Sequence, residues 1–161
     1  MEGSVRTTLA RSIAVLSRRG YRVSTIGKIN TMDIIEILKQ DYARFPVNQT
    51  YSIYAKDIYF QDPLNRFHGI KRYKLMINFI KTAFIKTKMD LHDIRRTGET
   101  VTMKWTLSWN TPLPWKPRIA ISGSSELKLN SEGLIASHID YWNCSRLDVL
   151  KQHFFPLTSK I

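Results

Sequence analysis

The sequence predicts an α+β domain in which a strongly curved antiparallel sheet wraps around a layer of N-terminal helices. Apolar residues recur at three- and four-residue spacing up to Phe84, which is typical of amphipathic helices. The period then changes to alternation, which is typical of long strands with one apolar face. Helices followed by a run of strands are the α+β pattern, and a sheet curved in this way leaves a conical cavity at its open end.

The composition suits one globular domain. The chain has 161 residues, of which 43% are hydrophobic and 24% charged, so collagen-like, low-complexity and wholly disordered classes are excluded. No apolar run approaches the roughly 18–20 residues of a transmembrane helix, and no transmembrane segment is predicted. The single cysteine, Cys144, excludes an internal disulfide and a cysteine-based zinc cluster. We expect no bound metal and no cofactor.

Residues 1–31 form a basic extension that has the composition of an organellar transit segment. They hold six basic residues and one acid, and Val5, Leu9, Ile13 and Leu16 share one helical face. Residues 3–25 contain no acid, and a positive amphipathic helix without acids is typical of transit peptides. A disordered or added tail is the alternative. The sequence therefore predicts a transit segment over 1–31 and a folded domain over the rest of the chain, 32–161.

The folded domain is also basic. The whole chain carries a formal charge of +12, from 25 Lys and Arg against 13 Asp and Glu. Residues 1–31 contribute +5, which leaves +7 for residues 32–161. A membrane surface, a nucleic acid and an acidic small molecule all remain open as partners. A solvated cationic surface is favoured over a nucleic-acid footprint, and no specific nucleic acid is predicted.

Two helices and a short strand begin the folded domain. Asp33 begins the first helix and Pro46 ends it. Residues 58–62 alternate as a short strand that ends at Pro63, and Gly69 then precedes the second amphipathic helix. The apolar face of that second helix consists of Ile70, Tyr73, Met76, Ile77, Ile80 and Phe84.

Four longer strands and a short helix complete the prediction. The strands cover residues 88–93, 101–110, 119–129 and 134–142. In the first of them, Met89, Leu91 and Asp93 share one face. Ser145, with an acid three residues on, begins a terminal helix that runs through Phe154. One face of the sheet is apolar and aromatic, and we expect the helices to cover it.

Six stretches of the sequence carry a family resemblance. They are Tyr-Ser-Ile-Tyr-Ala (51–55), Phe-Gln-Asp-Pro-Leu (60–64), Trp-Thr-Leu-Ser-Trp (105–109), Pro-Leu-Pro-Trp-Lys-Pro-Arg (112–118), Ser-His-Ile-Asp-Tyr-Trp (137–142) and Ser-Arg-Leu-Asp-Val-Leu-Lys-Gln-His-Phe (145–154). With the order of helices and strands, they resemble the nuclear transport factor 2-like (SnoaL-like) superfamily. Within it they are most similar to the uncharacterised domain of unknown function 2358 of cyanobacteria and plastid-bearing eukaryotes, over residues 33–155.

The resemblance bears on location and assembly. It implies a plastid or cyanobacterial setting, whereas the arginine-rich helix of residues 1–31 is closer to a mitochondrial presequence. We place the plastid stroma slightly ahead of the mitochondrial matrix. Relatives often carry tryptophan near position 83 and at 124, where this chain has Ala83 and Ser124. The outer sheet face that holds Ser124 commonly forms dimers in the superfamily, so a homodimer through this face is in doubt.

Asp62 is the first candidate catalytic residue. It ends the first strand and shares a face with Ile58 and Phe60, so we expect it to point inward at the mouth of the cone. The resemblance to the ketosteroid-isomerase branch, where an Asp-Pro supplies the general base, implies proton abstraction from carbon. The alternative is an ordinary turn, in which the carboxylate accepts hydrogen bonds from nearby backbone amides.

His138, Asp140 and Trp142 share one face of the last strand. Both faces of that strand are partly apolar, so the pattern alone does not decide which one is inside. The resemblance favours these three residues facing the cavity. A histidine and an acid two residues apart in a strand suit an acid–base pair or a polar ligand contact. A structural hydrogen-bonded pair is the alternative, and no third metal ligand is evident.

Aromatic residues supply the remaining candidate ligand contacts. Trp105 and Trp109 lie on the inner sheet face, where they either stack on a flat ligand or fill the core. Trp109 is nearer the strand end, so it is better placed than Trp105 to contact a ligand. Ser125, on the neighbouring strand, is a candidate hydrogen-bond donor to an oxyanion, and Tyr54 is a further candidate cavity residue.

Three functions fit these observations. The first is a small organellar domain that binds an apolar or aromatic molecule in its cavity or serves as an accessory interaction module. The second is an isomerase, cyclase or dehydratase that uses Asp62 as general base with His138 and Asp140 assisting. The third is a basic accessory subunit attached to a large assembly. Because fold alone does not imply function, the sequence leaves enzyme and binding protein open.

Overall fold

The computed structural model describes residues 33–155, and the predicted transit segment, 1–31, lies outside the described residues. The described part has the predicted α+β cone fold, with three α-helices and a curved, unclosed six-stranded sheet. The helices are α1 (Ile34–Ala43), α2 (Ile70–Ala83) and α3 (Arg146–Gln152). The strands are β1 (Tyr54–Gln61), β2 (Arg66–His68), β3 (Ile85–Thr97), β4 (Thr100–Asn110), β5 (Arg118–Leu129) and β6 (Ile135–Trp142).

The sheet order is β2-β1-β6-β5-β4-β3. All neighbouring strands are antiparallel except β1 and β6, which are parallel, so the prediction of a wholly antiparallel sheet was wrong at this one pair. The strands from β3 to β6 follow one another along the chain, and turns between consecutive strands require antiparallel pairing. No turn joins β1 to β6, so their relative direction is set by packing alone.

The long strands β4 and β5 form the centre of the sheet as the alternation predicts. Their inner faces supply half of the buried hydrophobic core, and Val101, Met103, Ile119 and Leu127 are each at most 1% exposed. Their outer faces are polar. Ser124 lies on this outer face opposite Lys104, and a homodimer through this surface, which Ser124 puts in doubt, stays a prediction.

Strand β3 contains an irregularity that the sequence pattern hides. Leu91 pairs with Trp105 as the alternation requires, but Asp93 pairs with Lys104 on the polar outer face. The extra residue between them, His92, is a β-bulge that shifts the register. The prediction that Asp93 shares a face with Leu91 was therefore wrong. The bulge keeps a charged carboxylate out of the core.

Strand β1 begins earlier than predicted and is followed by a strand that the sequence did not reveal. The predicted strand 58–62 is in fact Tyr54–Gln61, and its register with β6 shifts between Tyr54 and Tyr59. This shift breaks the two-residue period, so the first half of β1 carries no strand signal. The short strand β2 pairs with the end of β1, which places Asp62 in the turn between them.

The helices begin at the predicted residues. The side chain of Asp33 accepts a hydrogen bond from the backbone N–H of Ile35 at the start of α1. Gly69 has a φ of 98°, a conformation that favours glycine, directly before α2. Ser145 begins α3 with a capping box, although this helix ends at Gln152 rather than at Phe154.

A candidate ligand site in the conical cavity

The helices and the concave face of the sheet enclose a cavity of about 600 Å³. This volume lies within the range of roughly 300–1,000 Å³ that is usual for small-molecule sites. Its wall is mainly apolar and aromatic, and two exposed apolar side chains, Leu64 and Phe79, mark its mouth. The sheet side of the wall is formed by Phe60, Trp105, Leu107, Trp109, Ile121 and Trp142, and α2 adds Tyr73, Met76, Ile77 and Ile80.

A carboxylate and an imidazole lie together on the wall of this apolar cavity. His138 and Asp140 both face the cavity, as the resemblance implied for this side of β6. The Nε2 atom of His138 lies 2.9 Å from Oδ1 of Asp140. His138 is 4% exposed, and the side chain of Asp140 is 19% exposed. The two residues that the sequence spacing paired are therefore in direct contact.

Ser125 holds the carboxylate of Asp140 through a hydrogen bond. Its hydroxyl donates to Oδ1 of Asp140 at 2.5 Å and accepts a hydrogen bond from Nε1 of Trp105 at 2.7 Å. The hydroxyl of Tyr42 lies 3.5 Å from the same oxygen of Ser125. Ser125 is 2% exposed and does not line the cavity. Its hydroxyl thus orients the carboxylate in the described structure, and its predicted contact with a ligand oxyanion stays a prediction.

Two tyrosines extend the polar cluster beyond His138. The hydroxyl of Tyr73 lies 3.3 Å from the hydroxyl of Tyr54 and 3.4 Å from Nδ1 of His138. Burial raises the pKa of both phenols above the ordinary value near 10, and it does the same for Tyr42, where the nearby charge of Asp140 adds to the effect. All three phenols are therefore neutral at physiological pH and keep a proton to donate.

The arrangement of protons follows from the acceptor at its centre. An ionised carboxylate only accepts hydrogen bonds, so Nε2 of His138 carries a proton that it donates to Asp140. The hydroxyl of Tyr73 donates to the hydroxyl of Tyr54, and its oxygen lies 3.4 Å from Nδ1 of His138. Both ring nitrogens of His138 therefore have a polar partner within the cluster.

The second carboxylate oxygen of Asp140 is the open position of the cluster. Both His138 and Ser125 bind Oδ1, and within residues 33–155 no donor forms a hydrogen bond with Oδ2. Asp140 lines the cavity and its side chain is partly exposed there. A ligand that carries a hydroxyl or N–H group can therefore bond to this oxygen without displacing a protein donor.

Asp62 lies at the cavity and also forms the turn between β1 and β2. Its Oδ1 accepts hydrogen bonds from the backbone N–H groups of Leu64, at 2.7 Å, and of Asn65, at 2.5 Å. The side-chain amide of Asn65 lies 3.0 Å from Oδ2. Asp62 therefore both lines the cavity and caps a turn. Its role as a general base stays a prediction.

The candidate aromatic contacts have different surroundings. Trp105 is 3% exposed and its ring packs over Gly123, where an added Cβ would lie 2.7 Å from the ring atom Cη2. Trp109 stacks on Phe84 with a centroid distance of 4.5 Å and an interplanar angle of 9°. Trp109, Trp142 and Tyr54 all line the cavity. Within residues 33–155, no three histidine, cysteine or carboxylate side chains are grouped closely enough to hold a metal ion.

The sequence prediction missed Tyr42 and Tyr73 as members of the site. The sequence prediction assigns Tyr73 only to the apolar face of the second helix, where phenylalanine would serve equally well for packing, and it gives Tyr42 no role. A buried tyrosine needs a partner for its hydroxyl, so tyrosine at two inward-facing helix positions was a signal for a polar group in the core. The helix period identified the positions, but it did not indicate which groups on the sheet they meet.

A comparison with protein families assigns the chain to a family. The family described as "Uncharacterized conserved protein (DUF2358)" matches residues 32–138, which include α1, the helix–sheet interface and His138. The chain belongs to this family. None of the curated proteins compared with the chain matches it in sequence.

Solved structures show the same fold at low sequence identity. A protein of Catenulispora acidiphila with a ketosteroid isomerase-like fold, in complex with trimethylamine, has a TM-score of 0.62 and 19% identity over 78% of this chain and 95% of its own. A putative SnoaL-like polyketide cyclase of Shewanella denitrificans has a TM-score of 0.58 and 17% identity, over 76% and 97%. An LEH-like epoxide hydrolase of M. tuberculosis has a TM-score of 0.57 and 14% identity, over 73% and 84%. These similarities establish the nuclear transport factor 2-like fold.

Proposed function

We propose that the protein binds an apolar or aromatic small molecule in the conical cavity, with one hydrogen-bond donor of the ligand on Oδ2 of Asp140. The observation that carries the proposal is this open carboxylate oxygen in a mainly apolar wall. A carboxylate in such surroundings favours a ligand that combines a large apolar body with a single polar group. The rings of Trp109 and Trp142 provide flat surfaces for that body.

The energetics favour such a ligand over a fully apolar one. A hydrogen bond to a charged group contributes about 1.5–3 kcal/mol, which corresponds to roughly 10- to 150-fold in affinity. The apolar body adds the free energy of removing its surface from water, about 25 cal/mol per Å². Ser125 and His138 hold the carboxylate in place before the ligand binds, so little ordering of the side chain is required.

The test uses two probes that differ by one hydroxyl, 2-naphthol and naphthalene. We expect the wild-type chain to bind 2-naphthol at least tenfold more tightly than naphthalene, measured by fluorescence titration. Asp140→Asn removes the charge but keeps the shape, so we expect it to weaken 2-naphthol binding about tenfold and to leave naphthalene binding unchanged. Asp62→Asn, at the mouth of the same cavity, is the matched control and should affect neither probe. Equal affinities for the two probes in the wild type would contradict the proposal.

Mass spectrometry of the purified protein identifies the natural ligand. We expect denaturation of the full chain, purified from its native source, to release a stoichiometric apolar molecule with one hydroxyl or N–H group. The Asp140→Asn variant should retain less of it. A protein that is empty and also fails to bind 2-naphthol would favour the accessory interaction module instead.

The bond between His138 and Asp140 favours a second candidate, an isomerase or cyclase. In this scheme Oδ2 of Asp140 removes a proton from a carbon next to a carbonyl group of the bound molecule, and the cluster returns a proton elsewhere on it. Asp140 suits this role better than Asp62, because both carboxylate oxygens of Asp62 accept hydrogen bonds within its turn, whereas His138 and Ser125 both bond to Oδ1 of Asp140. The test is deuterium incorporation into the co-purified ligand in D₂O, which Asp140→Asn should abolish and Asp62→Asn should not.

A further inference from the structure

A long stretch of the described chain has no acidic residue. Residues 63–89, which run from the turn after Asp62 through β2 and α2 into β3, contain no Asp or Glu. The same 27 residues contain seven basic side chains, which are Arg66, Lys71, Arg72, Lys74, Lys81, Lys86 and Lys88. This stretch is about a sixth of the chain and carries a formal charge of +7.

Within residues 33–155, a neighbouring carboxylate neutralises just one of these seven charges. Lys88 forms an ion pair with Asp90 at 2.8 Å. For the other six, no carboxylate of residues 33–155 lies within ion-pair distance. Lys74 instead lies over the ring of Tyr51, with its Nζ 5.0 Å from the ring centroid. Lys71, Arg72 and Lys81 are exposed on α2, so this side of the molecule presents uncompensated positive charge to solvent.

Large apolar side chains are exposed on the same helix. Leu75 is 67% exposed and Phe79 is 60% exposed, and their four-residue spacing places them on one face of α2. Leu64, in the turn that precedes β2, is 61% exposed. Leu64 and Phe79 also line the cavity, so the exposed apolar side chains continue into its mouth. We call the surface formed by Leu64, Lys71, Arg72, Leu75, Phe79 and Lys81 the α2 surface.

We propose that the α2 surface docks on an anionic lipid bilayer, with the mouth of the cavity facing the lipid. Basic residues beside exposed leucine and phenylalanine on one helix are the combination that suits the interface of an anionic membrane. Each basic residue near such a surface contributes roughly fivefold to binding. At 14 residues, α2 is about 21 Å long and lies flat in this arrangement.

The chemistry of the surface favours a bilayer over other anionic partners. Phosphates of a nucleic acid would pair with the basic residues but would leave Leu75 and Phe79 in water. Headgroups and acyl chains accommodate both kinds of side chain. The other described helix with exposed apolar residues, α3, exposes Leu147 and Leu150, but Asp148 offsets one of its two basic residues, so its formal charge is +1 against +4 for α2. A docked cavity mouth would receive its ligand directly from the lipid phase.

The first test measures sedimentation of the full chain with vesicles of phosphatidylcholine alone or with 30% phosphatidylglycerol. We expect binding only to the anionic vesicles. The double variant Lys71→Glu, Lys81→Glu should weaken that binding at least tenfold. The control Lys104→Glu, Lys128→Glu changes the net charge equally on the outer sheet face and should weaken it less than threefold. Residues 1–31 are present in every variant, so their contribution cancels in the comparison.

The second test locates the contact. With Cys144 replaced by alanine, a fluorescent NBD group is attached at Leu75→Cys or, as the control, at Lys104→Cys. We expect a blue shift on anionic vesicles only for the label at position 75. Equal loss of binding in both charge variants, no loss in either, or a shift at both labels or neither would overturn the proposal. Binding of 2-naphthol without vesicles should be the same in the Lys71→Glu, Lys81→Glu variant and the wild type, which separates this inference from the proposed function.

Discussion

The buried phenols of Tyr42, Tyr54 and Tyr73 surround the Asp140–His138 pair, and each has its pKa raised by burial. These side chains pack as aromatic residues while supplying hydroxyl groups to the polar cluster. Their hydroxyls allow a carboxylate and an imidazole to remain in a mainly apolar wall, because every buried polar atom of the cluster has a partner. Because these phenols ionise at alkaline pH in the unfolded chain, they make the free energy of unfolding depend on pH in the alkaline range.

We expect the free energy of unfolding to fall as the pH rises above about 10. The unfolded chain loses phenol protons near pH 10, whereas the folded chain keeps them until its raised pKa values are reached, so the stabilisation is complete below pH 10 and is lost above it. Each buried phenol contributes a slope of about 1.4 kcal/mol per pH unit. Tyr54→Phe should reduce the slope by this amount in urea unfolding at pH 9–11. An unchanged slope would show that Tyr54 ionises without unfolding.

At the scale of the elements, Asp41 links α1 to the segment that leads into β1. Its carboxylate is 2% exposed and accepts hydrogen bonds from the backbone N–H and the hydroxyl of Thr50, both at 2.8 Å, and from Arg44 at 2.5 Å. A helix and a loop nine residues apart are thus joined through one side chain. This contact fixes α1, and with it Tyr42, against the sheet.

We expect Asp41→Ala to lower the free energy of unfolding by about 3 kcal/mol, because it leaves buried donors without an acceptor. Arg44→Ala should cost about 1 kcal/mol or less, since the side chain of Arg44 is 41% exposed and its ion pair is screened by water. Urea unfolding of the two variants measures the difference. Equal losses would mean that the ion pair, rather than the bonds to Thr50, holds the two segments together.

At the scale of the whole molecule, the basic character divides between two regions. Residues 1–31 carry +5, and residues 63–89 alone carry +7, so the remaining residues sum to zero. Residues 1–31 have the composition of a targeting segment. Residues 63–89 belong to the folded domain and include the α2 surface at the cavity mouth. No helix of residues 33–155 is long and apolar enough to cross a membrane.

We propose that residues 1–31 direct the protein to an organelle, with the plastid stroma slightly favoured over the mitochondrial matrix. A fluorescent protein fused after residue 161 should co-localise with chlorophyll in plant cells when the full chain is expressed. The same fusion to residues 32–161 should remain outside the organelles. Co-localisation with a mitochondrial marker would support the alternative address, and an unchanged distribution after the deletion would exclude residues 1–31 as the signal.

Much of the architecture was predictable because it depends on local periodicity. The change from a helical to an alternating period determined the α+β class, and the alternation of β4 and β5 assigned their inner residues correctly. Caps such as Asp33 and Ser145 act within four residues of their partners, so the sequence shows them directly. Among the site residues, His138 and Asp140 were found because their two-residue spacing already places them on one face of a strand.

The sequence by itself therefore determined the helix and strand pattern, the family and the two polar residues of β6. Only the tertiary structure decided the parallel pairing of β1 with β6, the bulge at His92 and the meeting of Tyr73 with His138. It also decided that Asp62 is held by its own turn, whereas one oxygen of the cavity-lining Asp140 accepts no hydrogen bond within residues 33–155. The physical reason is that these features depend on contacts between residues far apart in the chain, and a periodic pattern encodes which face a residue occupies but not what it meets there.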